Sequence, residues 1–113
     1  MNDCADFSFG NYFIINAILN ECGDKGISVG ESSFFNIKNL VVKNSYSGFA
    51  SKDSSVSEID FMDMSNLDNC LTAYNKKQEF GYGKILINKF TCRDYKNKVI
   101  VDDGSTIDIM NEI

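Results

Sequence analysis

The chain repeats itself every 22 residues, and a repeat of that length leaves few architectures open. Gly26-Ile27-Ser28-Val29-Gly30-Glu31-Ser32-Ser33 aligns with Gly48-Phe49-Ala50-Ser51-Lys52-Asp53-Ser54-Ser55. After each block an apolar run ends in Asn, at Asn44 and at Asn66. So short a unit cannot bury a core alone, but stacked copies can, which is the logic of a solenoid.

The columns set by Ile27 and Val29 extend along the chain. They run from Ala5 and Phe7, through Phe49 and Ser51, to Leu71 and Ala73. One further step needs 28 residues and reaches Val99 and Val101. Alternation at spacing two is a strand signal, with those side chains on one face. A second strand follows in each coil, its inward positions spaced two, three and two. The expected sets are Phe13, Ile15, Ile18 and Asn20, then Phe35, Ile37, Leu40 and Val42. Next come Ser57, Ile59, Met62 and Met64, and then Ile85, Ile87, Phe90 and Cys92. The last coil keeps Ile107 and Ile109. The three-residue step implies a bend, near Asn16, Asn39 and Asn88, where Asn suits a left-handed backbone.

The expected fold is therefore all-β: a single-stranded parallel β-helix of about five coils, forming one domain over residues 1–113. Each strand lies on its equivalent in the next coil, roughly 4.8 Å away. The six extra residues of the fourth coil form a surface loop, Lys76 to Gly83. An α/β domain fits poorly, because no long window shows a helical period. A β-sandwich explains strands and turns but not a constant period.

The coil motif, as in Gly26 to Ser33 leading into Phe35-Asn36-Ile37-Lys38-Asn39-Leu40-Val41-Val42-Lys43-Asn44-Ser45, resembles right-handed parallel β-helix proteins of the pectate-lyase-like class. The stretches Gly48 to Ser55 and Ala73 to Phe80 look like the C-terminal β-helical segments of some larger bacterial proteins. The resemblance implies right-handed coiling and a truncated solenoid. It is specific for fold and weak for activity, because that class holds polysaccharide lyases, epimerases, tailspikes and inert scaffolds. Exposed coil ends recruit other chains, so self-association through the solenoid ends is expected.

Composition excludes several functions. The chain has no His, which removes the commonest general base and metal ligand. Ser/His and Cys/His nucleophile pairs are ruled out with it. A net charge of −5, with no basic cluster beyond Lys76-Lys77, disfavours nucleic acid and anionic lipid. No apolar run reaches the roughly 18 residues of a membrane helix. Met1 to Asp6 carries no basic n-region, so the chain as it stands is expected in the cytoplasm, an expectation that lapses if it is part of a larger exported protein.

Three groups of residues are candidates for chemistry. Glu31, Asp53, Asn75 and Asp103 fall in one column after the first strand, with Lys52 beside Asp53. Such a column could share Ca²⁺, or Glu31, Lys52 and Asp53 could act as acid and base. The competing reading, which the residues favour, is that they cap turns. The second group is the loop and its base: Tyr74, Lys76, Lys77, Glu79, Phe80 and Tyr82. Tyr faces stack on sugars and charged groups bind hydroxyls or carboxylates, although Phe80 and Tyr82 could instead pack back on the wall. The third is Cys4, Cys22, Cys70 and Cys92, which contain no C-x-x-C. Cys4 and Cys70 share a column three coils apart, Cys22 falls at the Asn44/Asn66 corner and Cys92 points inward. Four reduced thiols and no zinc are expected.

The reading favours a non-catalytic scaffold or interaction module that binds carbohydrate, with no cofactor. The alternative is a carbohydrate-active enzyme of polysaccharide lyase or epimerase type, or a remnant of one.

Overall fold

A computed structural model describes residues 2–113. The chain forms seven strands: β1 (Ala5–Phe7), β2 (Asn11–Asn20), β3 (Lys25–Val29), β4 (Phe34–Lys52), β5 (Val56–Tyr74), β6 (Lys84–Val101) and β7 (Thr106–Glu112). Every pairing is parallel, in the order β1-β3-β4-β5-β6-β7, with β2 also on β4. The long strands turn corners, and successive coils stack into a parallel β-solenoid of about five turns.

The register follows the repeat. Ile27 lies on Phe49 and Phe49 on Leu71 at steps of 22, and Leu71 lies on Val99 at a step of 28. One inward column is Ile throughout: Ile14, Ile37, Ile59, Ile87 and Ile109. The core centres on Phe35, Phe49, Leu40, Met62, Leu71 and Phe90, all fully buried. Apolar columns stacked on one another remove both neighbours' side chains from water at once.

The corners use non-glycine residues in left-handed conformation, polar ones in every case but Phe9. Glu21, Asn44, Asn66 and Asp94 all have φ between 54° and 58° at one corner. There Asn66 Nδ2 donates to Asn44 Oδ1 at 2.8 Å, and Asn44 Nδ2 to Asn20 Oδ1 at 2.8 Å. At the other bend Asn39 Nδ2 donates to Asn16 Oδ1 at 2.9 Å, but Asn16, Asn39 and Asn88 do not adopt the left-handed backbone expected of them there. Each amide thus answers the one a coil below, and at Asn44 and Asn66 this ladder offsets the cost of the left-handed backbone.

The first coil corrects the expected register. Phe13, Ile15 and Ile18 are not inward; they are 72%, 61% and 75% exposed. Tyr12, Ile14, Ala17 and Leu19 take the inward columns beneath Phe35, Ile37, Leu40 and Val42. The step here is 23, not 22, and returns to 22 between Lys25 and Ser47. The corner after Phe7 is one residue shorter than its successors, and the corner before Lys25 is one residue longer. Two compensating changes hide the slip from a count made at the first strand, yet a slip of one flips every side chain between them.

The cysteines are also corrected. Cys4 is bonded to Cys22 and Cys70 to Cys92, with Cα–Cα separations of 5.3 Å and 6.6 Å, and none is free. Cys22 is not at the Asn44/Asn66 corner, which Glu21 occupies; its N–H donates to Ser45 Oγ at 2.9 Å, the next position round. The column of Cys4, Gly26, Gly48 and Cys70 faces the inward end of the second strand across a sharp corner. Gly26 there leaves room for Val42 and Gly48 for Met64. At Cys70 the facing residue is Cys92, so a covalent bond fills the space that glycine elsewhere yields to a large side chain. The pairing thus runs across the corner rather than along the column.

Two columns lose their apolar side chains together. Val29 gives way to Ser51, and Phe35 to Ser57. Ser57 Oγ donates to Ser51 Oγ at 3.1 Å, Ser51 and Ser55 share a hydrogen bond of 2.6 Å, and Ser55 Oγ donates to Val29 O at 3.1 Å. Buried hydroxyls are tolerated when they satisfy one another.

Gly48 tests the packing at the corner. A Cβ there would overlap Met64 Sδ and come within 2.7 Å of Cys70 O. Gly48→Ala is expected to lower stability by about 1–3 kcal/mol in urea denaturation, through overpacking against backbone. An unchanged midpoint would contradict the corner geometry.

Candidate functional site

The insertion leaves the solenoid after Tyr74 and rejoins it at Lys84, which sits on Val56 at a step of 28 where the coil directly below uses 22. Asp53 anchors its departure. Its side chain is fully buried, and Oδ1 accepts from Lys76 N at 2.7 Å, Lys77 N at 2.8 Å and Asn75 Nδ2 at 3.3 Å. Asn75 Nδ2 also reaches the carbonyls of Lys77, Phe80 and Gly81 at 2.9, 2.9 and 2.7 Å. One carboxylate and one amide thus gather both ends of the loop. The return passes through Gly83, where a Cβ would collide with the backbone at Ser51.

Asp103 is not the next member of this group. Asp102, one residue earlier, accepts Asn75 N at 2.8 Å through Oδ2 and Ser105 N at 3.1 Å through Oδ1. Burial pushes the Asp102 carboxyl up, but bonds from Ser105, Asn75 and Gly104 outweigh it and hold the group below its usual range. Glu31 faces the loop as well: Lys77 Nζ lies 3.5 Å from Glu31 Oε1. The structure therefore brings Glu31, Asp53, Asn75 and Lys77 together, as caps and ties of the loop. Among the described residues no three acidic or thiol side chains gather as a metal-binding group.

The loop's aromatic residues pack back on the solenoid. Phe80 meets Phe9 with ring centroids 6.0 Å apart, and Tyr82 lies over Gly104. Glu79 is exposed and has no ion-pair partner among the described residues. Lys52 and Lys76 turn to a different face, outside β3, where they line a cavity with Asn2, Asp3, Asp6, Asp24 and Lys25. Tyr74 is half-buried beside that face. Burial pushes its phenol up, helped by Asp53, Asp24 and Asp3 and opposed by Lys25. Lys25 donates to Asp24 Oδ2 at 3.0 Å and lies 3.8 Å from Asp3. Burial lowers its affinity for a proton, yet these carboxylates keep it above the usual lysine value.

The candidates thus separate into a tied loop base and an outward charged face. Asp6, Asp24 and Lys25 were not among the sequence candidates. They lie outside the 22-residue block that carries the motif, and only stacking brings them beside Lys52 and Lys76. No known protein family matches the chain, and comparisons with curated proteins and with solved structures find no match either.

The depressed Asp102 carboxyl sets a pH dependence. A group held lower when folded contributes stability above its unfolded pKa, and that contribution is lost as pH falls through the folded value. Thermal melts should therefore show stability falling below about pH 4, with a smaller fall in Asp102→Asn. An identical acid loss in the variant would contradict the bonding described.

Proposed function

We propose that the chain is a non-catalytic β-solenoid module that presents a rigid binding face, with carbohydrate as its ligand class. One observation carries this reading: the carboxylates suited to acid–base work are already committed. Asp53 Oδ1 holds three N–H donors and Glu31 pairs with Lys77. A general acid or base must reach a substrate proton, and a fully buried Asp53 does not. The enzyme alternative keeps one point in its favour, since Asp53 Oδ2 is buried without a partner.

The pectate-lyase-like kinship, and an origin within a larger bacterial protein, rest on the coil motif and belong to the same proposal. The two cystines favour an oxidising compartment over the cytoplasm. Self-association through the coil ends is supported by Val99 and Val101. These members of core columns are 38% and 44% exposed where no further strand covers them among the described residues.

Glycan binding measured alongside a lyase assay, with and without Ca²⁺, tests the reading. The expected result is saturable binding to glycans with no unsaturated uronate product. Appearance of that product would contradict it and favour the enzyme.

A further inference from the structure

The two ends of the solenoid are open strand edges. β1 and β2 are paired on one side only, to β3 and β4, and β7 is paired only to β6. Arg93 to Val101 of β6 has β5 beneath it and no strand beyond it among the described residues. An unpaired edge is a template for another strand.

Exposed hydrophobic side chains gather at the same two ends. Among the described residues, every large exposed one other than Tyr46 and Tyr82 lies before Asn20 or after Asp94. Two columns on the outer side of the second strand show the pattern. One runs Ile15, Lys38, Asp60, Asn88, Met110, and the other Ile18, Val41, Asp63, Thr91, Ile113. Ile15, Ile18, Met110 and Ile113 are 61%, 75%, 66% and 72% exposed. A partner lying along the side of the solenoid would need apolar residues on the middle coils. They stand instead where the next coil is missing, which marks the ends as the contact surface.

We infer that the last coil of one copy receives the first coil of another, head to tail, so that the solenoid continues across the junction. The columns set the register. The incoming Ile14 extends the column that ends at Ile109, Ala5 and Phe7 extend those that end at Val99 and Val101, and Asn16 meets Asn111. On the outside Ile15 covers Met110 and Ile18 covers Ile113. Glu112 ends the column of Ala17, Leu40, Met62 and Phe90. It pairs with Lys98 at 2.9 Å, and the residue arriving over it is Ala17, the smallest of the set. All strands stay parallel, as they are within the chain. A contact between like ends would run the facing strands antiparallel and break every column. Two first coils would also bring Asp3, Asp6 and Glu21 together, with no Lys or Arg before Lys25. A head-to-tail contact of this kind does not close, so growth is open-ended. The inference rests on the self-association through the coil ends proposed above, and gives it a polarity and a register.

One pair opposes the junction. At the left-handed corner the incoming Glu21 arrives over Asp94, where the inner coils stack Asn66 on Asn44. Facing carboxylates repel, whereas an amide at position 21 would donate to Asp94 and carry the ladder across.

Sedimentation equilibrium of the 113-residue chain, from micromolar to millimolar concentration, tests it. The average mass should climb past that of a dimer. Ile15→Glu/Ile18→Glu blocks the head and Met110→Glu/Ile113→Glu the tail; all four side chains are exposed, and circular dichroism checks the fold. Each double variant alone should need at least about tenfold more protein to associate. An equimolar mixture of the two should form dimers and nothing larger. Glu21→Asn should associate at about fivefold lower concentration than the unaltered chain. A dimer that either double variant still forms as readily as the unaltered chain is a contact between like ends; it overturns the head-to-tail junction and keeps association through the ends. A mass that neither double variant changes overturns the ends as the contact. A monomer at every concentration overturns association itself. If the double variants do not fold, Glu21→Asn decides, and unchanged or weaker association overturns the junction.

Discussion

Backbone hydrogen bonds between equivalent strands of successive coils are the constraint on which everything else in this molecule depends. They hold each residue above its counterpart one coil earlier, 22 positions back in the regular coils, so a choice made in one coil is judged against the next. Isoleucine recurs in one column because each one packs on the last. Asparagine recurs at the corner because its amide can both donate to and accept from its neighbours. At Asn44 and Asn66 the left-handed corner persists without glycine for the same reason.

The ladder also explains how the chain departs from its own rule. An insertion is tolerated where a corner can seal both of its ends, and Asp53 and Asn75 do this for residues 76–83. A buried aspartate that binds backbone N–H groups is a structural device here. The same device fixes the position of Lys76 at the rim of the outward cavity.

Much of this was legible in the sequence. The strand columns from Ile27 onward, the bend after Ile37, the Asn44–Asn66 stack and the loop all follow from spacing alone. The first coil was not legible, because its two corners differ by one residue in opposite directions and the count at Ala5 and Phe7 stays correct. The cystines were missed because their partners face each other across a corner, whereas column arithmetic compares residues along the stack. The charged face was missed because Asp6, Asp24 and Lys25 lie far from Lys52 and Lys76 in the chain and share no motif with them.

Peptide mapping of the unreduced protein tests the coil register most directly, since the two cystines span both its slipped and its regular parts. The account predicts Cys4 linked to Cys22 and Cys70 linked to Cys92, with no free thiol. A Cys4–Cys70 or Cys22–Cys92 linkage would require coils stacked in a different order and would contradict it.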